Sequence, residues 1–167
     1  MAVIVSDATP LNYLVEIGAA YVLPQLDGRV IIPPAVRAEL NHAKTPKAVR
    51  EWLSKSPAWL EVVAPSIIPP AALTELDVGE MEAITLALQT CADLLLIDEC
   101  DGTAAARGLG LTTTGTIGVL DLAATRGLID LRVMFARLQE TTFRGPTKLW
   151  PSCWSKKLRE RRSSEDR

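Results

Sequence analysis

The stretch Leu94–Asp101, LLLIDECD, decides the fold. Its first four residues form the most apolar strand-length run in the chain, and the run stops at Asp98. A strand that is apolar on both faces is buried on both faces, as in a parallel sheet covered by helices. Working outward, the pattern recurs at Ala2–Ser6, AVIVS, which stops at Asp7. Shorter apolar runs at Val30–Ile32, closed by Pro33-Pro34, and at Leu60–Val63, with a short strand that fits at Leu111–Thr113, complete five predicted strands. Helical patterns separate them. Thr9-Pro10 opens a predicted helix over Leu11–Ile17 that Gly18 stops, and a short one follows over Ala20–Leu26 before an Asp27-Gly28 turn. Ala35–Asn41 and a Thr45-Pro46 start running to Ser54 give two more. Residues 64–73 hold three prolines and read as a loop. Asp77 and Glu80 then have capping-box spacing, opening a helix to Thr90 with Met81, Ile84 and Leu88 on one stripe. Helices at Gly102–Leu109, Ile117–Arg126 and Asp130–Gln139 follow. Strands alternating with helices give an α/β fold with a mainly parallel sheet.

The 167 residues fit one domain, with 48% hydrophobic and 23% charged residues, the composition of a globular chain with a real core. No apolar run approaches the ~20 residues that span a bilayer, so no membrane segment is expected. The start, MAVIVSDATP, has no basic n-region or cleavage site, so the expectation is no signal peptide and a cytoplasmic protein. Cys91, Cys100 and Cys153 are odd in number and lack C-x-x-C spacing, which reads as reduced thiols rather than a metal cluster. The one histidine, His42, is too little for a zinc site and reads as a solvated loop residue.

Charge divides the chain. Residues 1–143 carry 10 basic and 17 acidic side chains, a net of −7, whereas residues 144–167 carry 8 basic and 3 acidic, a net of +5. The first part is the expected domain; the second is a basic tail with Trp150, Trp154 and the run KKLRERR. From Glu75 to Asp101 there are eight acids and no Lys or Arg, an imbalance that a bound cation would relieve.

In an open parallel sheet, sites form outside the carboxyl ends of the strands. Asp7 and Asp98 each follow such a strand. Glu39 lies in the helix after the second strand, Glu80 and Glu82 in the first turns of the helix leading to Leu94, and Asp101 at the start of the next helix. All are expected at the same edge. Each also has an ordinary structural use: helix cap for Asp7 and Asp101, capping-box partner for Glu80, solvent-facing charge for Glu39 and Glu82. Asp93 and Glu99 read as surface residues. Hard oxygen ligands without His or Cys favour Mg²⁺ or Mn²⁺. Two such ions can cleave a phosphodiester with water as the nucleophile. The run Thr112–Thr116, TTTGT, is either a turn capping the next helix or a set of hydroxyl and N–H donors for phosphate.

The residues resemble the PIN domain, the nuclease fold of VapC-type toxins in bacterial and archaeal toxin–antitoxin pairs, in a divergent, less-studied branch. The segments that carry the resemblance are VIVSDATPLNYLVEIG at Val3–Gly18, VIIPPAVRAEL at Val30–Leu40, LDVGEMEAITLAL at Leu76–Leu88 and LLLIDECDGTAAARGLGLTTTGTIGVL at Leu94–Leu120. The resemblance implies a three-layer sandwich around a five-stranded, mainly parallel sheet, and a Mg²⁺- or Mn²⁺-dependent ribonuclease centre. The family's acids match Asp7, Glu39, Glu80 or Glu82, and Asp98, with Asp101 assisting. Ser6 and Thr114 match positions where the family often has a hydroxyl near the metal. Two motifs depart from the common toxin pattern: a Glu pair stands where an Asp is usual, and LLLIDECD stands where L-V-T-x-D is usual.

The leading expectation is therefore a metal-dependent endoribonuclease, the toxin of a type II pair. Asp7 and Asp98 are the main ligands, with Glu39 and Glu80 or Glu82 completing the site. Arg107, Lys148 and the tail hold RNA. A homodimer and a small antitoxin partner are implied by the resemblance. The alternative is a PIN-like module without catalysis that binds protein or RNA, for which Leu149, Trp150 and Trp154 speak. A phosphatase or receiver-type domain is disfavoured, since D-x-D after strand one and a partner lysine are missing.

Overall fold

A computed structural model of the chain describes residues 1–26 and 28–143. Asp27 of the predicted turn, and the whole tail with Cys153, Lys148, Leu149, Trp150, Trp154 and KKLRERR, lie outside the described residues.

Five parallel strands form one sheet: β1 (Ala2–Ser6), β2 (Gly28–Ile32), β3 (Leu60–Val62), β4 (Leu94–Leu96) and β5 (Thr113–Thr114), in the order β3-β2-β1-β4-β5. Val5 pairs with Ile31 on one side and Leu95 on the other. Ile4, Val5 and Ser6 are all buried. Successive side chains point to opposite faces, so both faces of β1 are covered, which makes the architecture a three-layer sandwich. The helices are α1 (Ala8–Glu16), α2 (Val22–Gln25), α3 (Pro34–Leu40), α4 (Lys47–Ser54), α5 (Val78–Gln89), α6 (Cys100–Gly108), α7 (Thr116–Thr125) and α8 (Leu131–Gln139). Helix α5 packs on β1, β4, α3 and α6, and its Ala83, Ile84, Leu86 and Ala87 are completely buried. The charge-poor middle of α5 follows from being covered on several sides.

Most predicted elements are present with shifted ends. Helix α1 starts at Ala8, directly after Asp7, so Thr9 is not its cap. Pro10 sits inside the first turn, where an amide N–H would have no helical partner and its loss costs little. Helix α6 likewise starts at Cys100, ahead of the predicted Gly102, with Glu99 at the N-cap position; Asp101 lies in its first turn. Thr45 does not cap α4; its hydroxyl donates to the Glu39 carbonyl (2.8 Å). The loop before α5 contains a 3₁₀ turn over Ala71–Leu73 that buries Leu73. The N-cap of α5 falls as read, Asp77 Oδ1 accepting the Glu80 N–H (2.9 Å). Asp130, expected as the first residue of α8, is its N-cap instead, and its Oδ1 accepts the Arg132 N–H (2.9 Å).

The chain leaves β1 outward through β2 and β3, then crosses back to β4 and β5. The connection reverses between β1 and β4, so the carboxyl ends of those two strands form the crevice where such sheets bind ligands.

Candidate functional site

Asp7 stands at the mouth of that crevice. Its backbone N–H donates to the Leu96 carbonyl (2.9 Å), which ties the end of β1 to β4. The residue is 3% exposed, and its Oδ1 is buried with no hydrogen-bond partner among the described residues. A buried carboxylate oxygen without a partner is costly. Burial pushes the Asp7 pKa up to about 7, and the carboxylates of Glu39, Asp77 and Glu80 add to the rise. The nearby Ala8 N–H offsets part of this without forming a cap hydrogen bond.

The surrounding carboxylates come from four other places in the chain. Asp7, Glu39, Glu75, Asp77, Glu80, Glu99 and Asp101 line one open cavity of about 370 Å³, together with Thr9, Leu76 and Cys100. Gly79 shows how closely they approach. A Cβ added there would lie 2.9 Å from Glu39 Oε2, 3.4 Å from Asp77 Oδ1 and 3.6 Å from Asp7 Oδ1. Gly102 does the same for Glu80: its added Cβ would meet Glu80 Oε1 at 2.9 Å. Glycine at these two positions lets α5 and α6 close on the carboxylates. Burial raises the Glu80 pKa to about 7, with Asp77 and Glu99 contributing, and raises that of Glu39 with help from Asp77 and Glu99.

Two residues expected here are turned elsewhere. Glu82 Oε2 accepts the backbone N–H of Ala35 (3.0 Å), placing its charge at the N-terminus of α3. Asp98 accepts the Thr116 N–H at Oδ1 (2.7 Å) and the Thr116 hydroxyl at Oδ2 (2.6 Å), so its carboxylate serves the start of α7. Burial raises its pKa and the two Thr116 bonds lower it; no acidic neighbour contributes. Asp98 and Glu82 are also absent from the cavity lining.

The expected substrate contacts are also spread. Ser6 is buried, and its hydroxyl donates to the Asp7 carbonyl, so it braces the strand end. Thr114 is half-buried on β5. Arg107 donates from Nε to Thr113 Oγ1 (2.8 Å). It lies on the last turn of α6, at roughly 1.5 Å of helix rise per residue from the cavity end at Cys100. Asp77 and Glu99 enter the site without having been chosen from the sequence. Asp77 was legible as an N-cap, and the capping position that ties it to Glu80 also puts it at the rim. Glu99 carried no separate signal beside Asp98.

Among the described residues, no three His, Cys, Asp or Glu side chains are drawn together tightly enough to hold a metal ion as they stand. A hard divalent cation does not require that, because Mg²⁺ keeps several waters and takes only one or two carboxylates directly. All-oxygen donors around a partnerless buried Asp7 Oδ1 fit such a cation. No helix among the described residues is long and apolar enough to cross a membrane.

The comparisons agree with this fold. A family described as "DUF3368: PIN domain" matches residues 3–157. Among solved structures, a PilT N-terminus domain protein from the archaeon Sulfolobus solfataricus P2 superposes with a TM-score of 0.51 at 19% identity, covering 74% of this chain and 93% of that one. No curated protein matches the chain.

Proposed function

The chain belongs to the PIN-domain family, a family of nuclease fold, and from that premise we propose that it is a Mg²⁺- or Mn²⁺-dependent endoribonuclease. The observation that carries this reading is Asp7 Oδ1, buried without a partner at the wall of a cavity lined by six further carboxylates. Asp7 and Glu80 are the residues that would hold the cation directly, with Glu39, Asp77 and Glu99 around it. When bound, the cation neutralises charge on the scissile phosphate and eases ionisation of an attacking water. The carboxylates do the rest by position. They exclude phosphate from the cavity while it lacks a cation, which makes RNA binding and metal binding interdependent. With pKa values raised to about 7, Asp7 and Glu80 would release their protons to solvent as a cation binds near neutral pH, rather than standing permanently ionised. The role of toxin, a small antitoxin and a homodimer are part of the proposal and rest on the family resemblance.

The test is purified protein on a mixed RNA pool with Mn²⁺ or Mg²⁺, with EDTA, and beside Asp7→Asn. Metal-dependent cleavage that the variant loses is the expected result. No cleavage in any lane, with no Mn²⁺ binding by calorimetry, would replace this reading with a binding module that has no chemistry.

A further inference from the structure

A second cavity adjoins the acidic one. It measures about 310 Å³ and shares Thr9 and Glu39 with its neighbour. Its character is different. Among the described residues lining the two cavities, Lys44 is the one Lys or Arg, and it lines the second. Lys44 takes part in neither the Arg29–Glu61 nor the Lys47–Glu51 ion pair.

The wall is built rather than incidental. The turn after α3 folds on itself: the His42 N–H donates to the Glu39 carbonyl (3.1 Å), and the Thr45 N–H to the His42 carbonyl (2.9 Å). The Lys44 N–H donates to His42 Nδ1 (3.1 Å). That bond leaves the proton of a neutral imidazole on Nε2, as a donor. Across the cavity, Asn12 Nδ2 donates to Glu16 Oε2 (3.0 Å), which fixes its amide with the carbonyl oxygen left to accept. Tyr13 adds an aromatic plane. Its ring stands edge-on to Phe143 (centroids 5.0 Å apart, 87°), and its hydroxyl hydrogen-bonds with Thr142 Oγ1 (3.2 Å). Residues 144–167, with a net of +5, continue from that Phe143.

We propose that this cavity between α1 and the turn after α3 holds one nucleotide of an RNA strand, next to the nucleotide whose phosphate lies at the acidic cavity. The proposal rests on the ribonuclease reading and deepens it. Lys44 would meet the backbone phosphate. Tyr13 would give the base a surface to stack on, and the His42 Nε2–H and Asn12 carbonyl would meet polar atoms of the base edge or sugar. The volume suits one such unit, being at the lower bound of small-ligand pockets. An acidic centre cannot grip RNA unaided, and this cavity supplies a cation and a stacking plane on its border.

His42 is the single histidine of the chain, so its imidazole C–H signals are a unique NMR reporter inside the cavity. The full chain is titrated without metal with the four nucleoside 5′-monophosphates, and separately with inorganic phosphate. The His42 and Tyr13 ring signals should move saturably with at least one nucleotide and stay put with phosphate alone. Lys44→Ala, on an exposed turn, should weaken that binding about fivefold and raise KM for a short oligoribonucleotide similarly while keeping kcat. If RNA is cut but the ring signals ignore all four nucleotides, or phosphate alone moves them equally, the subsite is overturned and the ribonuclease reading stands. Unchanged KM in both Lys44→Ala and His42→Ala overturns it likewise. If the signals move but no RNA is cut, the ribonuclease reading falls and the nucleotide site remains.

Discussion

Asp7 and Asp98 occupy matching places. Each is the first charged residue after a buried strand, β1 or β4, and the two strands are hydrogen-bonded neighbours. Their side chains have opposite fates. Both oxygens of Asp98 accept from Thr116, one from the N–H and one from the hydroxyl. Asp7 keeps a buried Oδ1 with no partner among the described residues and shares its cavity with six carboxylates, three of which raise its pKa. One carboxylate is satisfied by the protein; the other keeps an oxygen free for a proton, a cation or a water. Position at a strand end brings an acid to the crevice, and the partner offered by the next helix decides whether it is structural or chemical.

Substitution should separate the two most strongly at the level of rate. On the proposed function, Asp7→Asn is expected to lower metal-dependent RNA cleavage by at least about 100-fold, because it removes a charge that would hold the cation. The same variant should be no less stable than the wild type at pH 8, since an amide replaces a buried ionised group. Asp98→Asn should do the reverse. It weakens two bonds at the start of α7 and removes an anion from a helix N-terminus, at a cost of about 1–2 kcal/mol in urea unfolding. A full loss of cleavage in Asp98→Asn at unchanged stability would erase the contrast and make Asp98 a ligand.

These two residues also show how far the sequence could be read. The sheet was legible because AVIVS and LLLI are apolar on both faces, a pattern with few other uses in a chain of this length. The convergence of Asp7, Glu39, Glu80 and Asp101 was legible from strand ends and helix starts, which the fold brings to one edge. Side-chain direction was not. Nothing in LLLIDECD says that Thr116, eighteen residues later, supplies two donors to Asp98, or that Ala35 claims Glu82. Those partners are non-local, and a sequence motif fixes backbone position better than rotamer. Asp77 shows the related error of treating one role as excluding another. It caps α5 and lines the cavity at once.

The pH dependence of stability is a smaller effect with a definite sign. Asp7 and Glu80 have folded pKa values raised to about 7, from 3.8 and 4.5. Between those limits the folded state holds more protons than the unfolded chain, so stability declines as pH rises. The contribution is complete at acid pH, below the unfolded values, and is lost as pH passes through 7. Tm measured in EDTA should therefore fall by several degrees from pH 5.5 to pH 8, and the fall should be shallower in Asp7→Asn. Mn²⁺ should raise Tm at pH 8 by mass action, and less at pH 5.5 where protons compete for the same oxygens. A Tm that is level or rising over this range in EDTA would show that Asp7 is ionised and satisfied, and the contrast with Asp98 would collapse.

Glu82 is the mildest case and the sharpest control, because it sits two residues from Glu80 on the same helix. Its carboxylate accepts the Ala35 N–H near the start of α3, whereas Glu80 faces the cavity against α6. Glu82→Gln keeps an acceptor for that N–H and loses only the charge near a helix N-terminus, so a cost of about 0.3–1 kcal/mol is expected. Cleavage and the Mn²⁺-induced rise in Tm should stay at wild-type levels, while Glu80→Gln should diminish both. The pair decides between the two glutamates of GEMEAI by measurement. If Glu82→Gln loses Mn²⁺ stabilisation and Glu80→Gln keeps it, the carboxylate that serves α3 is the ligand, and helix capping and cation binding would not be alternative uses of an acid in this fold.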